Sequence, residues 1–303
     1  MTPIMLTATL GQSLDQTFAA FDYGVFAFFG SIQNGFLTVL AKIFTSLGDE
    51  AFVIPMALLG VLLCCFRRTR KLGLSVVFAV AIGTVVTNLA VKPLALRIRP
   101  YNTLQADPDY WRWYVGAGML SESDYSFPSG HVTAAFEIGT AVFLCLMKKG
   151  RRGVAWIFPV LGVLVAASRV YLMVHYATDV LAGFLVGSLA GACGYVLADL
   201  AVGFLEKRGL DDRIDAERLF KKKLPSALGV GLVLAAVVAV WGVSFGMLLT
   251  EGGEEALRCA YHGEYHCQNE ARVGDKYPPI DGKYYCKIHW KELSEGTAPL
   301  PKD

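Results

Sequence analysis

The chain has 303 residues, a length suited to one or two domains, yet 54% of them are hydrophobic and only 18% are charged. With a mean hydropathy of +0.45, it holds more apolar residues than one soluble core can bury, which excludes an ordinary soluble domain and indicates a polytopic membrane protein. A net charge of +2 and a pI near 8.1 provide no field that would recruit nucleic acid, so no nucleic-acid partner is expected.

Seven apolar segments bounded by charged residues are candidate transmembrane helices, each of which needs roughly 20 mostly apolar residues. In chain order they are 18–47, 51–66, 72–91, 131–147, 154–167, 176–205 and 224–249. The first segment contains Asp22, Gln33, Asn34 and Lys42, so an interfacial helix followed by a shorter span is the alternative there. The sequence therefore predicts an all-α, polytopic membrane helix bundle.

Basic residues cluster in the loops that follow the second, fourth and sixth segments. They are Arg67, Arg68, Arg70 and Lys71, then Lys148, Lys149, Arg151 and Arg152, then the Lys- and Arg-rich stretch 206–223. Lys and Arg beside a span tend to stay cytoplasmic. We therefore expect the N-terminus inside, and both the connection 97–130 and the tail after Thr250 outside.

Glycines recur every fourth residue in the sixth segment, at Gly183, Gly187 and Gly191. This spacing places them on one face of a helix, where missing side chains let another helix come close. We expect this face to pack against a neighbouring helix and to have no chemical role.

Polar residues that are expensive to place in a membrane concentrate at the ends of the predicted spans. They are Lys92, Arg97 and Arg99 after the third span, Ser129, Gly130 and His131 at the start of the fourth, Ser168 and Arg169 at the end of the fifth, and His175 and Asp179 at the start of the sixth. By the span count, all of these groups emerge on the outer face. Residues about 80 positions apart can thus share one pocket.

The residue types in these groups suit phosphate binding. Lys92, Arg99 and Arg169 supply positive charge and the forked guanidinium geometry that matches phosphate oxygens. Ser129 and Gly130 precede a helix whose first N–H groups can hold an oxyanion, and glycine lets a ligand approach the backbone. The three cations can therefore take the place that magnesium has in many phosphotransferases.

Two histidines provide the reactive groups. His175 and Asp179 are four residues apart, so the carboxylate can accept a hydrogen bond from one ring nitrogen and leave the other nucleophilic. His131 lies across the pocket and can protonate a leaving alkoxide as a general acid. Together with the cations, these residues predict a phosphoryl-transfer site that needs no metal.

At these positions the sequence resembles the type 2 phosphatidic acid phosphatase family of integral membrane lipid phosphatases. The three motifs of that family are Lys, six residues, Arg-Pro; then Pro-Ser-Gly-His; then Ser-Arg, five residues, His, three residues, Asp. Every fixed position is present, as Lys92, Arg99 and Pro100, then Pro128, Ser129, Gly130 and His131, then Ser168, Arg169, His175 and Asp179. The resemblance covers about 18–205 and implies a six-helix core, a phosphohistidine on His175, proton donation by His131, and no metal in catalysis.

The tail contains the other three histidines and three cysteines: Cys259, His262, His266, Cys267, Cys286 and His289. Cys259 with His262, and Cys286 with His289, have the two-residue spacer that lets paired ligands bind one tetrahedral zinc. A set of three cysteines with His289 is equally possible. A disulfide competes with both, because the predicted topology puts the tail in an oxidising compartment, although an odd cysteine count disfavours full pairing. Neither zinc nor a disulfide would be catalytic.

The predicted organisation is a six-helix membrane phosphatase core over 1–205, a basic cytoplasmic loop over 206–223, a seventh transmembrane helix over 224–250, and a small extracytoplasmic Cys/His-containing C-terminal tail over 251–303. Asp281 and Gly282 in the tail predict a hairpin turn. The sequence makes no prediction about oligomeric state.

The function hypothesis is an integral lipid phosphate phosphatase of a bacterial plasma membrane, with its active site on the extracytoplasmic face. Its substrate would be a polyprenyl diphosphate, such as undecaprenyl diphosphate, or phosphatidate. The first alternative is a phosphotransferase that passes the phosphoryl group to an acceptor other than water. The second is a non-catalytic transporter or scaffold, which the complete motifs disfavour because costly charges would be expected to erode without function.

Overall fold

The computed structural model describes residues 8–211, 215–216, 226–250, 259–260, 267, 269, 271 and 278–297. Its helices are α1 (Leu10–Ser31), α2 (Gly35–Thr45), α3 (Glu50–Cys64), α4 (Arg70–Thr84), α5 (Lys92–Ala95), α6 (Pro100–Thr103), α7 (Pro108–Gly116), α8 (Gly130–Lys148), α9 (Arg152–Ala155), α10 (Ile157–Tyr171), α11 (Ala177–Lys207), α12 (Ser226–Thr250) and α13 (Lys287–Ser294). The predicted all-α membrane bundle is confirmed.

Within the described residues, six helical stretches are long and apolar enough to cross a membrane. They are Gly35–Cys64, Arg70–Thr103, Gly130–Lys148, Arg152–Tyr171, Ala177–Lys207 and Gly231–Leu249. Large apolar side chains such as Leu58, Val160 and Leu189 are more than half exposed on these helices, as expected of surfaces that contact lipid acyl chains. The protein is therefore an integral membrane protein.

The prediction of a span over 18–47 is wrong, because the polar residues inside that segment divide it. Asn34 starts a new helix, its side chain accepting a hydrogen bond from the Leu37 N–H at 3.0 Å. Before this break, Asp15 on α1 pairs with Arg97, and after it the Gln33 amide donates to the Tyr171 carbonyl at 3.2 Å. Both contacts lie at the end of the bundle where α10 ends and α11 begins, so α1 lies across that end.

This placement also changes the predicted topology. The basic loops lie at the opposite end, where Arg70 pairs with Asp211 and Lys71 pairs with Asp199. The start of α1 is thus on the other side of the bundle from the basic loops, whereas the prediction placed the two on the same side. Helix α1 is not among the described helices that are long and apolar enough to cross a membrane, which favours the interfacial helix that was the alternative for this segment.

Close helix packing sets the positions of α8 and α11. A Cβ atom at Gly187 would lie 2.4 Å from the Thr133 carbonyl oxygen, and one at Gly191 would lie 2.7 Å from the Glu137 carbonyl oxygen. The prediction that this glycine face packs against a helix is confirmed. The packing places the first turns of both helices side by side, where the Ser129 N–H donates to the Asp179 carbonyl at 3.1 Å.

Helix α4 changes its winding before it reaches this end of the bundle. The stretch Val85–Val91 is a π-helix, and α5 follows directly with Lys92. Leu96 then adopts a left-handed conformation, with φ of 52°, and ends the helix. π-helical turns are rare and are frequent at functional sites. Here the π-helical turn directly precedes Lys92, and the left-handed residue Leu96 directly precedes Arg97.

The described part of the tail is compact and packs against the bundle. Asp281 and Gly282 both have positive φ, and Ile280 and Lys283 exchange two backbone hydrogen bonds of 3.1 Å across them. This confirms the predicted hairpin turn, since a turn with two left-handed residues closes a hairpin. Tail side chains pack against two residues of the bundle end, Ile98 and Tyr125.

We predict that Gly187→Ala destabilises the protein by about 1–3 kcal/mol, because the added methyl group would overpack the α8–α11 contact. Gly203→Ala is the matched control, since a Cβ at Gly203 in the same helix meets nothing within 4 Å. Thermal unfolding in detergent measures both variants. Equal stability of the two would contradict the packing argument.

Candidate active site

His175 lies in the turn between α10 and α11 and is fully buried. Its Nδ1 is 3.4 Å from Asp179 Oδ2 and 3.3 Å from Ser126 Oγ. Its Nε2 lies 3.1 Å from Arg99 Nη1. The carboxylate can therefore accept a hydrogen bond from Nδ1–H, which leaves the Nε2 lone pair directed toward the basic side chains.

Several donors hold the Asp179 carboxylate in position. Arg97 Nη1 donates to Oδ1 at 2.6 Å, while Ser126 Oγ and the Tyr176 N–H donate to Oδ2 at 2.5 Å and 3.1 Å. Arg97 also pairs with Asp22 of α1 at 2.8 Å and stacks on the Tyr176 ring. The orientation of His175 thus depends on a network that extends to α1.

Three buried cations form the wall opposite the His175 ring. Arg99 Nη2 pairs with Asp124 Oδ1 at 2.6 Å and also with Glu122. Lys92 pairs with Asp124, and Arg169 pairs with Glu122. Two carboxylates from the connection between α7 and α8 therefore contact all three of the predicted phosphate-binding cations.

The start of α8 forms another side of the pocket. The Ser129 hydroxyl is buried and makes no hydrogen bond to any described group. A Cβ at Gly130 would lie 3.7 Å from Lys92 Nζ, so the backbone there is close to the cations. The His131 ring nitrogens are 3.6 Å from Asp49 Oδ2 and 3.8 Å from Glu122 Oε1. The structure brings all eight predicted catalytic and phosphate-binding residues to one end of the bundle.

Burial and charge set the protonation of this site. Burial, together with the positive charges of Arg99, Arg169 and Lys92, holds the pKa of His175 well below its ordinary value of 6.5. Burial alone would raise the pKa of the Asp124 carboxyl group. The positive charges of Lys92 and Arg99 outweigh this effect and lower the pKa below its ordinary value, so the group stays ionised. At neutral pH the site therefore combines a neutral imidazole with an ionised carboxylate.

Sequence reasoning missed several members of the site. The roles of Glu122, Asp124, Ser126 and Asp49 were not predicted, and Arg97 was noted only as part of a basic cluster. Each acts through a contact between distant parts of the chain. The usable signal was the pair of acidic residues, Glu122 and Asp124, a few positions before the Pro-Ser-Gly-His motif.

The tail residues form a second cluster. The donor atoms of Cys259, Cys267, Cys286 and His289 all lie within 4.8 Å of one another, and the three cysteines are buried. Thiolate and imidazole groups at this separation could bind a metal ion. The predicted ligand His262 lies outside the described residues.

Comparisons with known proteins agree with the motifs. The sequence model of the PAP2 superfamily matches residues 72–201. The undecaprenyl-diphosphatase of Sulfolobus acidocaldarius is 34% identical over 159 residues, which cover 51% of this chain and 66%, just under two thirds, of that protein. Phosphatidylglycerophosphatase B of Bacillus subtilis is 32% identical over 183 residues, which cover 58% of this chain and 79% of that protein.

A solved structure is similar as well. It is the crystal structure of a transmembrane PAP2-type phosphatidylglycerolphosphate phosphatase from Bacillus subtilis, with a TM-score of 0.50 and 28% identity. The match covers 65% of this chain and 91% of the other. The residues matched by the superfamily model include all three motifs, whereas the Cys/His cluster of the tail lies beyond them.

We predict that Arg97→Met lowers kcat for a phosphate ester by about 10- to 100-fold, the usual effect of losing a residue that holds a reactive group in place. Arg97→Lys should lose less, because it keeps the charge beside Asp179. Arg112→Met is the control, since Arg112 pairs with Asp109 on the surface. Steady-state kinetics on variants whose melting is also recorded tests this. Unchanged kcat in Arg97→Met would refute a positioning role.

We predict that kcat/KM keeps its full value as the pH falls to 6.5 and declines only below it. Protonation would remove the lone pair of His175 Nε2, and the lowered pKa of this group postpones protonation to more acidic pH. The profile of kcat/KM against pH reports groups of the substrate-unbound enzyme. A fall of kcat/KM on the acidic side with its midpoint above pH 6.5 would contradict the assignment of this fall to protonation of His175.

Proposed function

The chain belongs to the type 2 phosphatidic acid phosphatase (PAP2) superfamily, and on that basis we propose that it hydrolyses a lipid phosphate through a phosphohistidine on His175. The observation that carries this proposal is the geometry of the His175 ring. One nitrogen faces the buried Asp179 carboxylate, and the other faces Arg99 in a group of three cations. This arrangement supports nucleophilic attack on a phosphorus atom whose oxygens the cations hold.

In the first step, His175 Nε2 attacks phosphorus and a P–N bond forms while the P–O bond to the lipid breaks. His131 donates its proton to the departing oxygen, which belongs to an alcohol or, for a diphosphate, to the lipid monophosphate. The Nδ1 proton stays between the ring and Asp179, which stabilises the positive charge that develops on the imidazole. The phosphoryl oxygens remain with Lys92 and Arg99.

In the second step, His131, now neutral, accepts a proton from water. The resulting nucleophile attacks phosphorus, the P–N bond breaks, and inorganic phosphate leaves. His175 returns to its neutral form and His131 to its protonated form. This exchange of acid and base roles follows from microscopic reversibility.

Charge stabilisation in this proposal comes from side chains. Lys92, Arg99 and Arg169 are all buried, and charged donors in a site from which water is excluded stabilise phosphoryl oxygens more strongly than they would in water. The Ser129 hydroxyl and the first N–H groups of α8 add donors that carry no net charge. Catalysis therefore requires no metal ion.

The proposed substrates are lipids whose phosphate reaches the end of the bundle, namely a polyprenyl diphosphate, such as undecaprenyl diphosphate, or phosphatidate and its relatives. Two observations support this class: the site lies at the end of a membrane bundle, and two similar proteins are an undecaprenyl-diphosphatase and a phosphatidylglycerophosphatase. The basic loops lie at the opposite end, where Arg70 pairs with Asp211 and Lys71 with Asp199, which supports an extracytoplasmic site in a bacterial plasma membrane.

We predict that the purified protein releases phosphate from at least one lipid phosphate in the presence of EDTA. A panel of polyprenyl diphosphate, phosphatidate, lysophosphatidate and phosphatidylglycerophosphate identifies the preferred substrate. Hydrolysis requires that free phosphate equal the donor consumed, whereas a shortfall matched by a new phosphorylated acceptor would indicate a transferase. Donor that is carried across a vesicle membrane without being cleaved would indicate a transporter.

The same assay tests the nucleophile. We expect His175→Asn to abolish turnover and to eliminate the alkali-stable, acid-labile phosphate label that a substrate labelled in the transferred phosphate leaves on the wild-type protein. Asp179→Asn should retain the label but form it more slowly, because the ring loses its charged partner. Turnover by His175→Asn would overturn the mechanism.

A further inference from the structure

We propose that Cys259, Cys267, Cys286 and His289 bind one zinc ion, and that this metal holds the tail as a cap on the acidic segment 122–125 of the active site. The metal site stands on its own geometry. The effect of the cap on catalysis rests on the proposed function.

The distances between the donor atoms match those of a tetrahedral site. The Sγ atoms of Cys259 and Cys286 are 3.3 Å and 3.4 Å from His289 Nδ1. Around a tetrahedral zinc, with Zn–S near 2.3 Å and Zn–N near 2.0 Å, such S···N separations are about 3.6 Å. The cluster thus has the ligand types, number and spacing of a structural zinc site.

Two separate stretches of the tail contribute the ligands. Cys286 immediately precedes α13 and His289 lies in its first turn, which places both donors on one side of the helix. Cys259 comes from an earlier stretch of the tail, and its backbone N–H donates to the Asn269 carbonyl at 3.1 Å. A metal bound at the cluster would join these stretches, which also share a small apolar core and the hydrogen bond from the Ala260 N–H to the Tyr284 carbonyl at 2.9 Å.

The donor set favours zinc over a disulfide. A disulfide would use two of the three buried sulfurs and leave a third thiol and an imidazole beside it, whereas zinc uses all four donors. Asn269 adds an outer contact, since its amide nitrogen lies 3.5 Å from Cys286 Sγ and can donate to a thiolate. Such outer hydrogen bonds typically orient metal ligands.

Residues next to the proposed zinc ligands attach the tail to the active-site segment 122–125. The Lys287 N–H, next to Cys286, donates to the Ser123 carbonyl at 3.1 Å. Tyr125 and Ile98 pack against the apolar residues around the cysteines. Ser123 and Tyr125 flank Asp124, so the tail contacts the chain on both sides of a carboxylate that pairs with Lys92 and Arg99.

A hydrogen-bonded path also connects the cluster to Glu122. Asn269 Oδ1 lies 3.2 Å from the Tyr101 hydroxyl, which accepts from the Glu122 N–H at 3.0 Å. Asn269 and Tyr101 are both buried. The residue that contacts the ligand Cys286 therefore also fixes the backbone of the carboxylate that pairs with Arg99 and Arg169.

The consequence is competition for the phosphate-binding cations. Glu122 and Asp124 contact Lys92, Arg99 and Arg169, so a substrate phosphate must displace them or share the cations with them. A tail ordered by zinc keeps the carboxylates near the cations and weakens substrate binding. Loss of zinc loosens the segment and lowers KM.

Metal content is the first measurement, made on the full-length protein. We expect about one zinc per chain by mass spectrometry of the metal, with zinc lost in Cys286→Ala and kept in Cys193→Ser, which removes an exposed cysteine within α11. Cobalt exchanged into the protein should show the visible bands of a tetrahedral thiolate site. If Cys286→Ala does not accumulate, His289→Ala and the wild-type protein treated with a chelator provide the same comparison.

Counting the free thiols tests the competing possibility, a disulfide among the three cysteines. Intact-protein mass after alkylation distinguishes three thiols from one thiol and a disulfide among Cys259, Cys267 and Cys286. A disulfide in protein that contains no zinc would overturn the metal site. This readout, like metal content, requires no hydrolysis, so its failure is separate from a failure of the proposed function.

Kinetics tests the cap. We expect Cys286→Ala to lower KM by about fivefold, an effect on the scale of one partly exposed ion pair, without a fall in kcat. In a background of Glu122→Gln with Asp124→Asn, the same tail substitution should leave KM unchanged, because the competing charges are gone. An unchanged or higher KM in Cys286→Ala alone would overturn the cap.

Discussion

Four buried cations at one end of a membrane bundle set the main constraint on this protein. An uncompensated charge in such a place costs several kcal/mol, so each basic side chain needs an acidic or hydrogen-bonding partner. The partners come from different parts of the chain: Asp22 from α1, Asp179 from α11, and Glu122 with Asp124 from the connection before α8. The need to pair these charges therefore joins the ends of the helices into one site.

The pairing also explains why α1 lies across the end of the bundle. Asp22 is buried and contacts Arg97, and the Thr178 N–H and hydroxyl donate to the same carboxylate. A carboxylate in the middle of a spanning helix would need such partners within the bilayer. Placing α1 across the bundle end brings Asp22 to its partners.

Parts of this arrangement could be predicted from sequence because they depend on local spacing. The interval from His175 to Asp179, the glycines of α11 and the turn at Asp281–Gly282 are all local patterns, and the structure contains the corresponding contacts. The pairing of Glu122 with Arg169 is not local, since nothing in the spacing of two distant residues indicates which cation a carboxylate will meet.

The error in the first predicted span also arises from contacts between distant residues. Its apolar residues fit a membrane helix, and only the tertiary partners of its polar residues show otherwise. Hydropathy therefore identified the bundle and motif spacing identified the His–Asp pair, whereas the partners of Arg97 required the fold. That division follows from the range of the interactions: periodicity reports on a single helix, and ion pairs report on how helices meet.

The carboxylates beside the cations give the site a way to change occupants at low electrostatic cost. In the proposed reaction, a substrate phosphate would bring about as much negative charge as Glu122 and Asp124 supply together, so an exchange would leave the cations compensated throughout. Both acidic partners lie on the connection between α7 and α8, outside the close glycine contacts that hold the helices together. Under the proposed function, whatever positions that connection, including the tail that packs on Tyr125, would therefore influence how readily phosphate enters.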